Sequence, residues 1–340
     1  MSTDAPSLVS DSVAAFRLGR ALAIAKLGGT ATQKWSVTTE AGRFVVRVRP
    51  VEFGGTGAVA FDHTTLMRLA AAGLPVPCPQ RLSDGTSILW RENRAIEVLS
   101  WIDGEAFSAG NRNAAHELGI FLGQFHAELA DNFPSGKEAA LREDHPDNVE
   151  PLLPALLAAT TDPTARHRLA TLGEQLQNIR QEFETRLYPV LPRTVIHGDI
   201  HPGNVRFRHD RVSALYDFDY LSVQARVRDV IDALAFFASA RSEPLDPDRI
   251  RSLTQPFIPQ LELSCAVLSG YQSMQPLTDD EWRALPFLLH SRWLQIRLRG
   301  SRKVPPEEKP AFVLNRFSEV TDWLDRSSRI FFEKLREKTS

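Results

Sequence analysis

One short polar segment, His197–Asn204, constrains the fold of this 340-residue chain more than any other part of its sequence. Glycine and proline interrupt the segment, which therefore forms a loop and not a helix. Two β-branched or aromatic runs follow it, Val205–Phe207 and Val212–Tyr216, with a short polar connection between them. This pattern predicts a β-hairpin, which returns the chain to the point where it left. Asn204 and Asp217, at the two ends of the hairpin, should therefore lie side by side.

A third oxygen-bearing side chain belongs to the same loop, because Asp199 lies five residues before Asn204. Mg²⁺ prefers oxygen ligands and is usually held by one or two carboxylates together with substrate phosphates. Phosphoryl transfer also needs a carboxylate that accepts the proton of the attacking hydroxyl, and protein kinases place this aspartate five residues before a metal-binding asparagine. The spacing therefore indicates phosphoryl transfer. The alternative is a purely structural role, since aspartate and asparagine favour turns.

The same residues resemble a known family. His197–Asn204 is similar to the H-G-D-x-H-x-x-N loop of the aminoglycoside phosphotransferase and choline kinase-like superfamily, and Asp217–Asp219 resembles its D-x-D metal motif. Weaker similarities run from about Phe16 to at least Leu298. The resemblance implies a protein-kinase-like α+β fold, in which a small antiparallel-sheet N-lobe precedes a larger helical C-lobe and the active site lies between them.

The lobes can be placed along the chain. The resemblance implies a nucleotide-binding N-lobe in residues 1–103 and a catalytic, acceptor-binding C-lobe in residues 104–340. The β-branched stretches Lys34–Thr39 and Phe44–Arg49 predict paired strands in the first part, whereas Asn113–Leu129 carries apolar residues at helical spacing. We expect the polar segment Met1–Ser12 to form a frayed tail.

By this resemblance, Asp199 would be the catalytic base. Asn204 and Asp217 would hold Mg²⁺, and Asp219 would assist them. Asp229 would support the catalytic loop, His197–Asn204, from the start of a helix. The positions similar to ATP-binding residues, in the phosphate-covering turn, the strand, the helix and the hinge, are Gly28, Gly29, Arg47, Asp62, Leu99 and Trp101.

The N-lobe departs from the family pattern at Arg47, where relatives carry a phosphate-pairing lysine. Arginine is always charged and can bind phosphate through two N–H groups, so we expect it to replace the lysine. Alternation in the strand Phe44–Arg49 places Val45, Arg47 and Arg49 on one face. The other face is wholly apolar and consists of Phe44, Val46 and Val48, so Arg49 is a competing candidate. The helix glutamate that pairs with the lysine in relatives is matched by the shorter Asp62.

The histidines of the loop do not predict zinc. His197 and His201 are four residues apart, a spacing that binds zinc on a helix, but glycine and proline exclude a helix here. We expect His197 to pack and to hydrogen-bond within the loop, and His126 to be a helix residue with a hydrogen-bonded ring. The role of His201 stays open.

Only eleven residues separate Asp217 from Asp229, which leaves no room for a long protein-kinase activation segment. We therefore expect transfer of the ATP γ-phosphoryl group to a hydroxyl of a small molecule such as a sugar, an amino alcohol or an aminoglycoside. A protein serine/threonine kinase on the same fold and a catalytically silent nucleotide-binding regulator are the alternatives. The sequence contains no motif for the acceptor or for the oligomeric state.

Composition excludes several other classes of protein. The net charge of −2 gives no reason to expect a nucleic acid or an anionic membrane as a partner. No apolar run reaches the roughly 18 residues that a membrane-spanning helix needs. Two cysteines, Cys78 and Cys265, do not make a disulfide framework, so we expect a cytoplasmic protein.

Overall fold

The structure is a computed structural model that describes residues 5–28, 33–131, 136–137, 144–243 and 249–339. An antiparallel sheet occupies the amino-terminal part and helices dominate the larger remainder, which confirms the predicted α+β architecture. The predicted lobe boundary at residue 103 falls between the last strand of the sheet, which ends at Ser100, and a long helix that starts at Arg112. The assignment of one function to each lobe remains a prediction.

The amino-terminal sheet has five antiparallel strands in the order β1-β2-β3-β5-β4. They are β1 (Ala21–Lys26), β2 (Gln33–Thr39), β3 (Gly42–Val48), β4 (Leu89–Arg91) and β5 (Arg94–Ser100). Alternation in β3 gives the predicted faces, because Phe44, Val46 and Val48 pack into a core with residues of β2 and β5. In the pairing of β3 with β5, Arg47 lies opposite Glu97.

The amino-terminal segment forms a helix, which corrects the prediction of a frayed tail for Met1–Ser12. Helix α1 (Ala5–Ala15) places Val9 and Val13, both fully buried, in the core of the sheet. A helix of this length is unstable alone, and packing of its apolar face stabilises it. Because Ser10, Asp11 and Ser12 lie between the two valines, the sequence showed no clear apolar face. Residues 1–4 lie outside the described part of the chain.

Helix α2 (Thr56–Ala71) connects the sheet to the helical region, because its Phe61 and Leu69 pack into the large hydrophobic core of the later helices. Those helices are α3 (Arg112–Glu128), α4 (Pro146–Val149), α5 (Leu153–Ala158), α6 (Pro163–Asn178), α7 (Val227–Phe237), α8 (Leu261–Met274), α9 (Asp279–Gly300), α10 (Lys309–Leu314), α11 (Phe317–Arg326) and α12 (Ser328–Thr339). Short 3-10 and π turns join several of them. None of the helices in the described part of the chain is both long and apolar enough to cross a membrane.

Two glycines bring α3 and α8 together. A Cβ atom at Gly119 would lie 2.0 Å from the carbonyl oxygen of Val267, and one at Gly270 would lie 2.1 Å from that of His116. Any larger residue would push the two helices apart. This close packing places the ring of Tyr271 on α8 beside the end of α3, where a histidine supports the catalytic loop.

The predicted hairpin is present. Strands β7 (Val205–Arg208) and β8 (Arg211–Leu215) pair antiparallel, and the flanking strands β6 (Arg193–Ile196) and β9 (Ser222–Ala225) pair with each other. A last small pair consists of β10 (Ser239–Ala240) and β11 (Ile258–Pro259). At the base of the hairpin, the N–H of Tyr216 donates to the carbonyl oxygen of Asn204 at 2.8 Å. Asp217 therefore follows directly beside Asn204, as the sequence predicts.

Candidate active site

A buried aspartate at the start of α7 holds the catalytic loop. Asp229 is fully buried, and its two carboxylate oxygens accept the backbone N–H groups of His197 at 2.7 Å and Gly198 at 2.8 Å. Gly198 has a φ of 80°, and a Cβ there would lie 2.8 Å from the carbonyl oxygen of Tyr220. Only glycine avoids both the strained backbone and the clash. The predicted support of the loop by Asp229 agrees with this geometry.

Two histidines complete this support. His197 is fully buried, its Nε2 lies 2.9 Å from the carbonyl oxygen of Tyr216, and its ring packs against Phe218, as expected. The ring of His126 is also hydrogen-bonded on both sides, to Tyr271 at 2.9 Å and to Asp229 at 3.2 Å. Burial raises the pKa of Asp229, but the hydrogen bonds from His126 and the loop outweigh burial, so the pKa lies below its usual value. The loop is therefore anchored to an ionised carboxylate.

Asp199 presents a partly exposed carboxylate at the centre of the loop. Its Oδ2 lies 3.4 Å from Nε2 of His201 and its Oδ1 lies 3.4 Å from Nη2 of Arg292. Burial raises the pKa of Asp199, but the neighbouring His201 and Arg292 outweigh burial and hold the pKa well below its usual range. The carboxylate is therefore ionised at neutral pH and can accept a proton. The geometry also places His201, whose role the sequence left open, beside the carboxylate of Asp199.

Asn204 and Asp217 bring two further oxygen-bearing side chains to this region, the first buried and the second partly exposed. The Nδ2 of Asn204 donates to the carbonyl oxygen of Asp199 at 3.0 Å, and its Oδ1 accepts no hydrogen bond from the described residues. The side chain of Asp217 is 30% exposed and follows β8 with a left-handed φ of 66°. Asp219, in contrast, is buried, and burial raises the pKa of its carboxyl although Arg47 opposes this.

This oxygen set fits a hard cation such as Mg²⁺, which combines protein oxygens with phosphate oxygens and water. Across the described ranges, no group of three or more histidine, cysteine, aspartate or glutamate side chains is arranged to hold a metal ion by itself. A cation here would therefore depend on the amide of Asn204 and on the phosphates of a nucleotide. The zinc alternative at His197 and His201 gains no support.

Arg47 reaches the same acids from the sheet. It lies on the face of β3 that the alternation predicts, with Nη1 3.4 Å from Asp217 and further ion pairs to Asp219 and Glu97. The side chain is 7% exposed. Sheet and catalytic loop therefore meet through this guanidinium, and the face of β3 that carries Arg47 is the face directed at the site.

The predicted pair of Arg47 with Asp62 is wrong. Asp62 on α2 contacts Arg49 and, at 2.6 Å, the Nζ of Lys137. Two residues along a strand shift a side chain by about 6.6 Å on the same face, so Arg49 reaches the helix while Arg47 reaches the hairpin. Arg49 thus takes the helix partner that we assigned to Arg47.

Three side chains of this cluster were missed in the sequence. Glu97 is 1% exposed and contacts both Arg47 and Arg49, and its position inside the apolar run of β5 was an available signal, because a buried acid needs a cation. Lys137 also donates to the carbonyl oxygen of Asp219 at 2.8 Å. Arg292 lies on α9, far from Asp199 in sequence. Nothing near Lys137 or Arg292 in the sequence marked either residue.

The remaining predicted nucleotide contacts lie around the sheet. Leu99 is two residues after Glu97 on β5 and shares its face, which is directed at the catalytic loop. Trp101 follows β5, and its backbone N–H donates to the carbonyl oxygen of Arg43 at 3.1 Å. The centre of its ring lies 3.7 Å from the Cζ of Arg43. A Cβ at Gly28 would meet no atom within 4 Å, so no close approach in the structure requires glycine there. Gly29 lies outside the described residues.

Solved structures show the same fold. The microcompartment-associated aminopropanol kinase superposes with a TM-score of 0.71 at 14% identity, covering 94% of this chain and 98% of that chain. The amicoumacin kinase hAmiN, solved with AMP-PNP, Ca²⁺ and Ami, gives a TM-score of 0.66 at 14% identity, covering 99% of this chain and 94% of that chain. These similarities confirm the protein-kinase-like fold.

Sequence relatives define the family. A homoserine kinase of Methylocella silvestris is 26% identical over 299 residues, which cover 86% of this chain and 84% of that protein. A homoserine kinase of Methylobacterium nodulans is 29% identical over 241 residues, which cover 70% of this chain and 68% of that protein. The family model described as "Phosphotransferase enzyme family" (APH) matches residues 24–277, a range that includes Arg47, the catalytic loop and Asp229. The chain therefore belongs to the APH phosphotransferase enzyme family, as an ATP-dependent kinase that acts on a hydroxyl of a small molecule.

Proposed function

We propose that this kinase phosphorylates the hydroxyl of a small hydroxy amino acid, with L-homoserine as the first acceptor to test, and that Asp199 is its catalytic base. The observation that carries the proposal is the ionised, partly exposed carboxylate of Asp199 between His201, Arg292 and Asn204. The choice of acceptor is supported by the relatives named above, which are homoserine kinases.

In the proposed reaction, the carboxylate of Asp199 accepts the proton of the acceptor hydroxyl. The hydroxyl oxygen then forms a bond to the γ-phosphorus of ATP. The bond between this phosphorus and the bridging oxygen to the β-phosphorus breaks, and ADP leaves with the electron pair. A positioned base of this kind typically contributes about 10²–10⁴-fold to the rate.

Asn204 and Asp217 would hold Mg²⁺, with Asp219 assisting from its buried position. When bound, the ion neutralises charge on the phosphates. Arg47 would contact phosphate oxygens, because its guanidinium already lies against the two carboxylates of the metal motif. The predicted contacts of ATP with Gly28, Gly29, Asp62, Leu99 and Trp101 belong to the same proposal.

The proposal also covers the setting of the reaction. Residues 1–103 would bind the nucleotide and residues 104–340 the acceptor, without a nucleic acid or a membrane as a partner. Cys78 and Cys265 are both free thiols in the structure, which agrees with the reducing cytoplasm that we expect.

The test is ATP consumption by the purified protein with Mg²⁺ and one acceptor at a time: L-homoserine, an amino alcohol, an aminoglycoside and a sugar. We expect homoserine to give the highest kcat/KM, and Asp199→Asn to provide the blank. Consumption with another acceptor and not with homoserine would reject the hydroxy amino acid. No consumption above the blank with any acceptor would reject the proposed function.

A further inference from the structure

Arg241, which follows β10, is a cation without a carboxylate partner among the described residues. Its Nη2 donates to the carbonyl oxygen of Ala235 at 3.0 Å, and its buried Nε has no partner. Burial lowers the pKa of Arg241 to about 10, and no acid raises it again, yet the side chain stays charged at neutral pH. Removing a cation from water without an anion is costly, so this environment favours an anionic ligand.

Two aromatic rings hold the guanidinium of Arg241 in place. Its Cζ lies 5.3 Å from the ring centroid of Phe236 and 5.1 Å from that of Phe257. Such contacts fix a guanidinium and leave its N–H groups available for a planar anion. Arg241 is therefore a rigid donor.

The same Phe236 ring connects Arg241 to the catalytic base. The Cζ of Arg292 lies 5.4 Å from the ring centroid, and the ring of His201 lies 6.1 Å from it. Arg292 and His201 both contact the carboxylate of Asp199 at 3.4 Å. Arg241 and Arg292 therefore lie near the same ring, and Arg292 contacts the carboxylate of Asp199.

The acids near this ring are already paired. Asp199 contacts His201 and Arg292, both at 3.4 Å. Asp232 contacts Arg228 and Arg292, both at 2.8 Å. Neither carboxylate contacts Arg241. Arg228 also lies 3.4 Å from Asp144, so these three carboxylates are balanced by three guanidinium groups, of which only that of Arg241 contacts none of them. A cation without a carboxylate partner attracts an anion.

Another buried arginine shows what a purely structural role looks like. Arg297 on α9 is fully buried and also lacks a carboxylate within hydrogen-bond distance in the described part of the chain, but it donates to two carbonyl oxygens, of Val313 and Thr254, at 2.7 Å. Those bonds join three segments of the helical core. Arg241 has one such bond and remains partly exposed.

We infer that Arg241, which shares the Phe236 ring with Arg292, forms a subsite that binds the carboxylate of the acceptor and so selects hydroxy amino acids over amino alcohols and aminoglycosides. The inference rests on the proposed function. A carboxylate is planar and accepts two parallel hydrogen bonds from a guanidinium, which makes such pairs strong and directional.

The test compares L-homoserine with 3-aminopropan-1-ol, which has the same hydroxyl and amine but no carboxylate. We expect the wild type to prefer homoserine in kcat/KM, and Arg241→Gln to lower the preference ratio about 10- to 100-fold, the effect of losing a hydrogen bond to a charged group. Arg241→Lys should retain part of the preference. The control Arg249→Gln removes an exposed arginine from the same part of the chain and should keep the wild-type ratio.

A second measurement, stabilisation of the folded protein by each compound in thermal unfolding, separates the subsite from catalysis. If the protein phosphorylates neither compound, the proposed function fails, and the stabilisation by homoserine relative to 3-aminopropan-1-ol then decides the subsite alone. Loss of this difference in Arg241→Gln supports the subsite. An unchanged ratio in Arg241→Gln, an equal loss for both compounds, or no preference in the wild type overturns it.

Discussion

The charged groups on the two sides of Asp199 are paired differently. On the side of the sheet, four carboxylates (Asp62, Glu97, Asp217 and Asp219) surround three cations (Arg47, Arg49 and Lys137) in the described residues, so that negative charge is in excess when all are ionised. On the side of α7 and α9, Arg241 contacts no carboxylate of the described residues. The first side is suited to a metal cation that arrives with a nucleotide, and the second to an anionic acceptor.

The strand lysine of relatives is missing, but two arginines bring positive charge to the same site. Arg47 contacts the acids of the metal motif, and Arg49 contacts the helix acid. Each side of the base can then be perturbed separately. The following predictions test whether the two sides act independently.

The largest effect is expected at Asp199, the proposed base. Asp199→Asn keeps the shape of the side chain but cannot accept a proton, so kcat should fall by about 10²–10⁴-fold. ATP should still bind, because the nucleotide side is unchanged. Steady-state kinetics with calorimetry of ATP binding would check both statements, and turnover near the wild-type rate would exclude Asp199 as the base.

The next largest effect is expected at Asp217. A bound metal contributes several kcal/mol of charge stabilisation, so Asp217→Ala should remove about 10²-fold or more of the enhancement of ATP binding by Mg²⁺. Calorimetry with and without Mg²⁺ measures this enhancement. The matched control is Asp210→Ala, because Asp210 lies in the same hairpin and also has a left-handed φ, of 64°. An equal Mg²⁺ enhancement in Asp217→Ala and the wild type would rule out Asp217 as a ligand.

A smaller effect should distinguish the two strand arginines. Arg47→Ala should raise KM for ATP or lower kcat by about 10- to 100-fold, the loss of hydrogen bonds to a charged group, and Arg47→Lys should recover only part. Arg49→Ala should affect turnover less. Arg49 contacts Asp62, Glu97 and Asp219, whereas only Arg47 of the two contacts the partly exposed Asp217. The reverse order of the two alanine variants would show that Arg49 is the phosphate-binding residue.

The smallest effect is expected at Arg292, whose guanidinium lies 3.4 Å from the carboxylate of Asp199. Burial raises the pKa of Asp199 while His201 and Arg292 lower it, so Arg292→Gln should raise the pKa. The acid limb of the kcat profile should then move to higher pH. The control Arg283→Gln lies on the exposed face of the same helix, at 70% exposure, and should keep the wild-type profile. A loss of kcat without a shift of the limb would indicate a purely structural role for Arg292.

The loop His197–Asn204, the hairpin and the two faces of β3 could be predicted from the sequence. These depend on local rules: spacing within His197–Asn204, the turn of a hairpin, and the two-residue period of a strand. The same locality explains the failure at α1, whose two buried valines gain their stability from a sheet that follows them in the chain.

The partners of the charged residues, in contrast, depend on the tertiary structure. Arg47 meets Asp219, 172 residues away, and Arg292 meets Asp199, 93 residues away, so their pairing depends on how the sheet and α9 pack around the loop. The prediction that Arg47 pairs with Asp62 failed because alternation gives the face of a residue but not which neighbour along that face it reaches. Arg241 gave no signal either, since its lack of an acid is a property of the packed surroundings. Local backbone rules act over a few residues, whereas charge pairing is set by distances through space.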